Sequence, residues 1–198
     1  MIQKLLLLLA ALLCSSSAAF AADWGLPLEL SDKNTKIRFE IDSTWHRVRG
    51  TTTGITGKIV LADPADPSTV RGEVHAPVAR FDTDNSSRDK TMREVMAAET
   101  YPDVKFALSG IEIGCTPSSL AAGQACSATL RGDLTIRGQT KPWEIPATLS
   151  LLGNRYELRG TGRLRWSDFG VEDPSIFVAR LSKDVTVFIE TDWDAETR

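Results

Sequence analysis

The residues able to do chemistry are few, and their spacing argues for binding more than for turnover. There are two histidines, His46 and His75, and three cysteines, Cys14, Cys115 and Cys126. A zinc site typically takes about three or four His, Cys or acidic ligands at regular spacing, a pattern that the sequence lacks. His75 also falls in a run, residues 70–78, whose alternation directs it to a charged face with Arg71 and Glu73. There is no G-x-S-x-G elbow and no Walker loop, and Gly160-Thr161-Gly162 continues into Arg163, Leu164 and Arg165 instead of a dinucleotide fingerprint. Asp82 and Asp84 are the nearest thing to paired carboxylates, but they lie in a polar stretch where solvated turn residues are the simpler account. No catalytic residue, metal or cofactor is expected.

One polar cluster stands out, FDTDNSSRDK over residues 81–90. Arg88 suits a phosphate or carbonyl oxygen through charge-assisted hydrogen bonds, and Asp82, Thr83 and Asp89 are placed to hold it. If the loop of His46 opens at the same end, these five residues form a candidate head-group site. A plainer account stays open, in which Arg88 and Asp89 only cap and brace a helix.

The elements that must position this cluster are strands. Ile37, Phe39 and Ile41 alternate with charged residues, as do Val70, Gly72, Val74, Ala76 and Val78. The pattern recurs in Leu130, Gly132, Leu134 and Ile136, in Ile145, Ala147, Leu149 and Leu151, and in Tyr156, Leu158, Gly160, Gly162, Leu164 and Trp166. Val185, Val187 and Ile189 repeat it near the C-terminus, where Phe188 points with the polar set. With residues 58–62 and 104–113, the latter carrying Phe106 and Leu108, about eight antiparallel strands are expected, separated by turn-rich stretches. Two stacked sheets or one closed barrel would both bury these apolar faces. The small inward residues, Gly160 and Gly162 among them, favour a barrel with a lumen, although glycines that merely ease twist remain an alternative.

A single helix is expected over residues 86–99, opened by capping serines, carrying Met92, Val95 and Met96 on one stripe, and ended by Pro102. It would act either as an adaptable lid over a barrel mouth or as ordinary packing.

The first residues read as a cleaved export signal over residues 1–21, because Lys4 precedes an apolar run at residues 5–13 and Ala19-Phe20-Ala21 forms a small-x-small cleavage site. That leaves one domain over residues 22–198 and a periplasmic destination. Leu13 directly before Cys14 argues against lipidation. Losing Cys14 leaves Cys115 and Cys126 as the one possible pair, and a structural disulfide pinning a turn-rich loop fits better than a redox pair, which favours C-x-x-C spacing. A net charge of −3 gives no footprint for nucleic acid. Transient membrane contact and a homodimer stay open.

Four stretches together resemble the YceI family of bacterial periplasmic proteins: the region of Ile37, Phe39 and His46, the segment FDTDNSSRDKTMREVMAAETYPDVKFALSGIE, the run LRGDLTIRGQTKPWEIPATL, and WSDFGVEDPSIFVARLSKDVTVFIE with Asp168, Phe169 and Gly170. LTIRGQTKP, residues 134–142, is the most specific of them. The resemblance implies a lipocalin-like, extended antiparallel barrel with a helix near its mouth and a lumen holding a polyisoprenoid or quinone-like lipid. On that basis the lumen residues are Phe39, Ile41, Val74, Val78, Met92, Val95, Met96, Phe106, Leu108, Leu134, Ile145, Leu149, Leu158, Gly160, Gly162, Leu164 and Phe169. Two departures bear on the head-group contacts. Arg88-Asp89-Lys90-Thr91-Met92 stands where the family usually has Arg-Asp-x-His-Leu, and Thr51, Thr52 and Thr53 lie where relatives often place an aromatic. The function expected is lipid carriage; an envelope-stress interaction module, or an enzyme acting on a bound quinone or lipid, are the alternatives.

Overall fold

The structure is a computed structural model that describes residues 24–175 and 180–195. The expected export signal, including Cys14, lies outside the described residues. Eleven hydrogen-bonded segments form one antiparallel sheet: β1 (Leu28–Ser31), β2 (Thr35–Ser43), β3 (Arg47–Thr52), β4 (Thr56–Leu61), β5 (Val70–Pro77), β6 (Phe81–Asp82), β7 (Asp103–Ile113), β8 (Cys126–Ile136), β9 (Gln139–Leu152), β10 (Arg155–Arg165) and β11 (Leu181–Asp194). Two helices, α1 (Ser86–Val95) and α2 (Pro117–Ala121), interrupt the order.

Eleven segments arise where about eight strands were expected because three long runs are broken. β1 and β2 are separated by a tight turn in which the Asn34 amide donates to the Ser31 carbonyl at 3.1 Å. β3 and β4 are separated at Gly54, whose φ of 74° is left-handed and suits glycine. The two breaks are tied together: the Asp32 carboxylate accepts from the amides of Gly54 at 2.8 Å and Ile55 at 2.9 Å. Those two amides hold the Asp32 carboxyl below its ordinary titration range. A single helical turn, Val78–Arg80, breaks the third run between β5 and β6.

Taken as continuous runs, the sheet closes on itself. β4 pairs with β5 and β1, β11 pairs with β2, and β2 pairs with β3, so the ladder that leaves the second run through β4 returns to it through β3. Consecutive antiparallel neighbours from β7 to β11 complete an up-and-down arrangement. Closure removes most of the exposed sheet edges that would otherwise pair with other chains, with the upper part of the β9–β10 junction left unpaired.

The alternation read from the sequence sorts the two faces as expected. The outer face carries ion pairs such as Arg131 with Glu112 and Glu144, at 2.8 and 3.0 Å, all solvent-exposed and each worth little individually. Phe188 lies outside as expected, under the Arg38 guanidinium at 5.7 Å.

One end of the barrel is packed solid. Tyr156 lies between Trp24 and Trp193, with ring centroids 6.0 and 5.2 Å away, and the Trp193 indole donates to the Trp24 carbonyl at 2.8 Å. Leu120 of α2 is buried against the same cluster as Leu149 and Ile145. The disulfide between Cys115 and Cys126 is formed, with Cα atoms 5.7 Å apart. It brackets α2 where a simple turn loop was expected, because Pro117 at the first turn and Thr116 as cap nucleate a short helix.

α1 is shorter than the expected residues 86–99. Asn85, not a serine, is its N-cap and accepts from the Arg88 amide at 3.0 Å. It ends at Met96, ahead of Pro102, because Ala97 turns left-handed at φ 50°.

Candidate functional site

The inward faces of the strands do not meet. Between the Trp24, Tyr156 and Trp193 floor and α1 lies a cavity of about 580 Å³. Protein interiors normally close voids larger than a water molecule, whereas small-molecule sites run from about 300 to 1,000 Å³. A space of this size along the axis is therefore a feature of the fold and not a packing defect.

The strands contribute side chains by their period of two. Phe39 and Ile41 enter from β2, Val74 from β5, Phe106 and Leu108 from β7, Leu134 from β8, Ile145 and Leu149 from β9, and Leu158 and Leu164 from β10. Met92, Val95 and Met96 close one end from α1, which makes the helix a lid over the lumen. All thirteen of these residues were expected there from the sequence.

Four expected lumen residues are elsewhere. Gly160 and Gly162 do not open onto the cavity, because neighbouring side chains cover them. A Cβ at Gly162 would overlap the Trp143 indole, and one at Gly160 would come within 3.0 Å of Ile145 Cγ2. Gly132 and Gly50 seat the rings of Phe106 and Phe39 in the same way. The inward glycines thus give room to neighbouring side chains, aromatic rings among them, and do not themselves widen the lumen. Val78 and Phe169 are buried but sit in single helical turns, Val78–Arg80 and Trp166–Phe169, that rotate them out of strand phase.

The polar cluster forms at the lidded end. Asp89, buried in the first turn of α1, accepts from the Thr83 amide at 3.0 Å and from its hydroxyl at 2.5 Å. Thr83 in turn accepts from Arg88, its hydroxyl from Nε at 2.8 Å and its carbonyl from a terminal nitrogen at 2.5 Å. The guanidinium is thereby fixed at the cavity wall, with Arg88, Thr83 and His46 all lining it. Among the described residues, no carboxylate forms an ion pair with Arg88. A half-buried, pre-oriented cation of this kind can receive a phosphate or carbonyl oxygen at low ordering cost. Asp89 acts behind the wall and not on it. Asp82 does neither: it is exposed and accepts from the Asp84 amide at 2.8 Å, a local turn bond.

Sequence reasoning missed several wall residues. Trp143 and Trp193 line the cavity, as do the hydroxyl-bearing Thr35, Thr52 and Thr191; Trp166, which the alternation placed on the inward face without naming it a lumen residue, lines it too. Trp143 and Trp193 extend the alternating phases of Ile145 and Ile189, a signal available by lengthening those strands. Trp24 precedes any strand and had no periodic signal. Among the described residues no group of three or more His, Cys, Asp or Glu is arranged to hold a metal.

A closed antiparallel barrel around an apolar cavity, with a short helix across one end, is the architecture of a lipocalin-like barrel. Residues 28–193 match the model of the YceI-like domain, and the chain belongs to that family. It is 28% identical over 183 residues to the UPF0312 protein of Pseudomonas syringae pv. tomato, covering 88% of this chain and 89% of that one. A UPF0312 protein of Photorhabdus laumondii is 28% identical over 174 residues, covering 85% and 79% of the two chains. Among solved structures, BcnA of Burkholderia cenocepacia superposes with a TM-score of 0.65 at 19% identity, over 80% of this chain and 96% of that one. A domain from Saccharophagus degradans, described as polyisoprenoid-binding and implicated in plant cell wall breakdown, gives 0.64 at 12% identity, over 85% and 97%. At these identities the structural likeness establishes the fold.

Proposed function

We propose that the protein is a periplasmic carrier that holds a polyisoprenoid or isoprenoid-quinone lipid in the barrel lumen, with the head at Arg88 and the tail along the strands. The observation that carries this reading is the cavity of about 580 Å³, walled by apolar side chains and polar chiefly at the lidded end. Each methylene moved from water into it contributes about 0.8 kcal/mol, so a branched hydrocarbon tail supplies most of the affinity. The Asp89, Thr83 and Arg88 chain supplies head recognition and favours an oxygen-rich, anionic or carbonyl head. The polyisoprenoid-binding domain of Saccharophagus degradans shares this architecture, which supports the ligand class.

A lumen filled by the protein's own side chains would have favoured an interaction module without a lipid, and the open cavity argues for carriage. Export rests on the leader features of residues 1–21. The test is to purify the mature protein from periplasm, extract it with organic solvent and identify co-purified lipid by mass spectrometry. A polyprenyl or quinone species near one per protein is expected. An empty extract, followed by failure to bind geranylgeranyl phosphate and a short-chain ubiquinone on reconstitution, would remove the proposal.

A further inference from the structure

The barrel wall is not hydrogen-bonded over its full height. β9 and β10 pair from Leu152 opposite Arg155 to Ala147 opposite Gly160, and there the ladder stops. Both strands continue, β9 over residues 139–146 bonded to β8 and β10 over residues 161–165 bonded to β11, with no strand pairing between them.

The cause is written in the sequence. A two-residue loop, Gly153-Asn154, makes the flanking Leu152 and Arg155 a hydrogen-bonded pair, so the even-numbered residues of β9 turn their amides toward β10. Pro142 and Pro146 occupy two of those positions and have no amide hydrogen to give.

A side chain bridges the gap. The Trp143 indole donates from Nε1 to the Arg163 carbonyl at 2.9 Å and lies against Gly162, the position where a Cβ would overlap it. Its other neighbour is Phe106, edge-on at 5.8 Å between centroids. The same half-buried ring lines the cavity, so it stands between the lumen and the seam.

Resting on the reading of the cavity as a lipid site, we propose that this seam is a side portal for the hydrocarbon tail, with Trp143 as its gate. Swinging the indole off Gly162 breaks one side-chain hydrogen bond and no ladder bond, and it leaves α1 in place. The seam begins at the end covered by α1, where β9 starts and β10 finishes, and runs down the wall toward Ala147. A lipid can therefore keep its head near Arg88 while the tail slips in sideways, without being drawn past the polar cluster. The opening is about one indole wide and suits a thin flexible chain, isoprenoid or acyl.

The test measures exchange of cis-parinaric acid, a fluorescent polyene chain, by stopped flow. Extending the paired register places Glu144 opposite Arg163, both exposed, so the variant Glu144→Cys/Arg163→Cys can be bridged with a short bismaleimide while the native cysteines stay in their disulfide. Bridging should slow association and dissociation together by about tenfold or more, with the equilibrium affinity little changed, whereas a monofunctional maleimide should not. Independently, Trp143→Ala should raise the association rate by about tenfold, with Trp143→Phe in between. A bridged protein exchanging at the parent rate, or a Trp143→Ala protein with an unchanged association rate, would overturn the portal. A parent protein that binds no probe at equilibrium would overturn the lipid reading as well.

Discussion

Filling the lumen should abolish lipid binding without harming the fold, and Ala76→Phe is the substitution that does it most cleanly. Ala76 is buried on β5, lines the cavity and pairs with Val104, which lines it too. Phenylalanine adds a six-carbon ring in the space that a ligand tail would use. If that ring displaces about four or five tail carbons at about 0.8 kcal/mol each, the ligand loses about 3 to 4 kcal/mol, which is roughly a hundred- to a thousandfold in Kd. The protein gives up little, because the ring enters existing space and not a packed core, so stability should stay within about 1 kcal/mol of the parent. Tryptophan fluorescence reads the binding directly, since Trp24, Trp143, Trp166 and Trp193 all line the cavity. Geranylgeraniol titrated into parent and variant, beside urea denaturation of each, separates affinity from stability. An affinity within about threefold of the parent would refute the lumen as the seat of the tail.

Arg88→Met should weaken geranylgeranyl phosphate by the cost of an unpaired head, about 1 to 3 kcal/mol, and leave the headless hydrocarbon farnesene unaffected; equal losses for both in competition titrations would mean that Arg88 only braces α1. Replacing the disulfide by Cys115→Ser/Cys126→Ser should lower unfolding stability by about 2 to 3 kcal/mol in urea, with ligand affinity retained because the bridge sits at the opposite end from Arg88. Asp32→Asn should destabilise by no more than about 1 kcal/mol at neutral pH, the site being exposed. Because the folded carboxyl titrates below its unfolded value, the parent's advantage is full at neutral pH and disappears as pH falls through the folded value. Melting curves of parent and Asp32→Asn should therefore begin to converge as the pH drops to the ordinary carboxylate range and meet only below it, once the folded carboxyl is protonated.

Much of this architecture was legible in the sequence because a half-buried strand sorts its residues by a period of two. The inner faces of β5, β8 and β10 could be read directly from Val74, Leu134 and Leu158. Arg88, Thr83 and Asp89 were legible as a set because a cap, a first-turn acid and a basic neighbour have local geometry. Less legible were features fixed by distant partners. The breaks at residues 32–34 and at Gly54 depend on Asp32 reaching across to another run, which no local pattern reveals. Gly160 and Gly162 suggested empty space, but a missing side chain leaves a void only if no neighbour fills it, and Trp143 and Ile145 do so. Val78 failed because the alternation was extended one residue beyond β5, into a turn that reverses its phase. Phe169 rested on the family resemblance and not on alternation, and it lies at the end of the single helical turn that follows β10.

The central claim, that the tail lies inside the barrel, is tested most directly by methyl-resolved NMR on Ile-, Leu- and Val-labelled protein titrated with geranylgeranyl phosphate. The methyls of Val74, Leu108, Ile145 and Leu149, which line the cavity, should shift and show intermolecular NOEs to the isoprenoid chain, while the exposed Val60 and Leu152 should not. Contacts confined to Val60 and Leu152, with the cavity methyls unmoved at saturation, would contradict it.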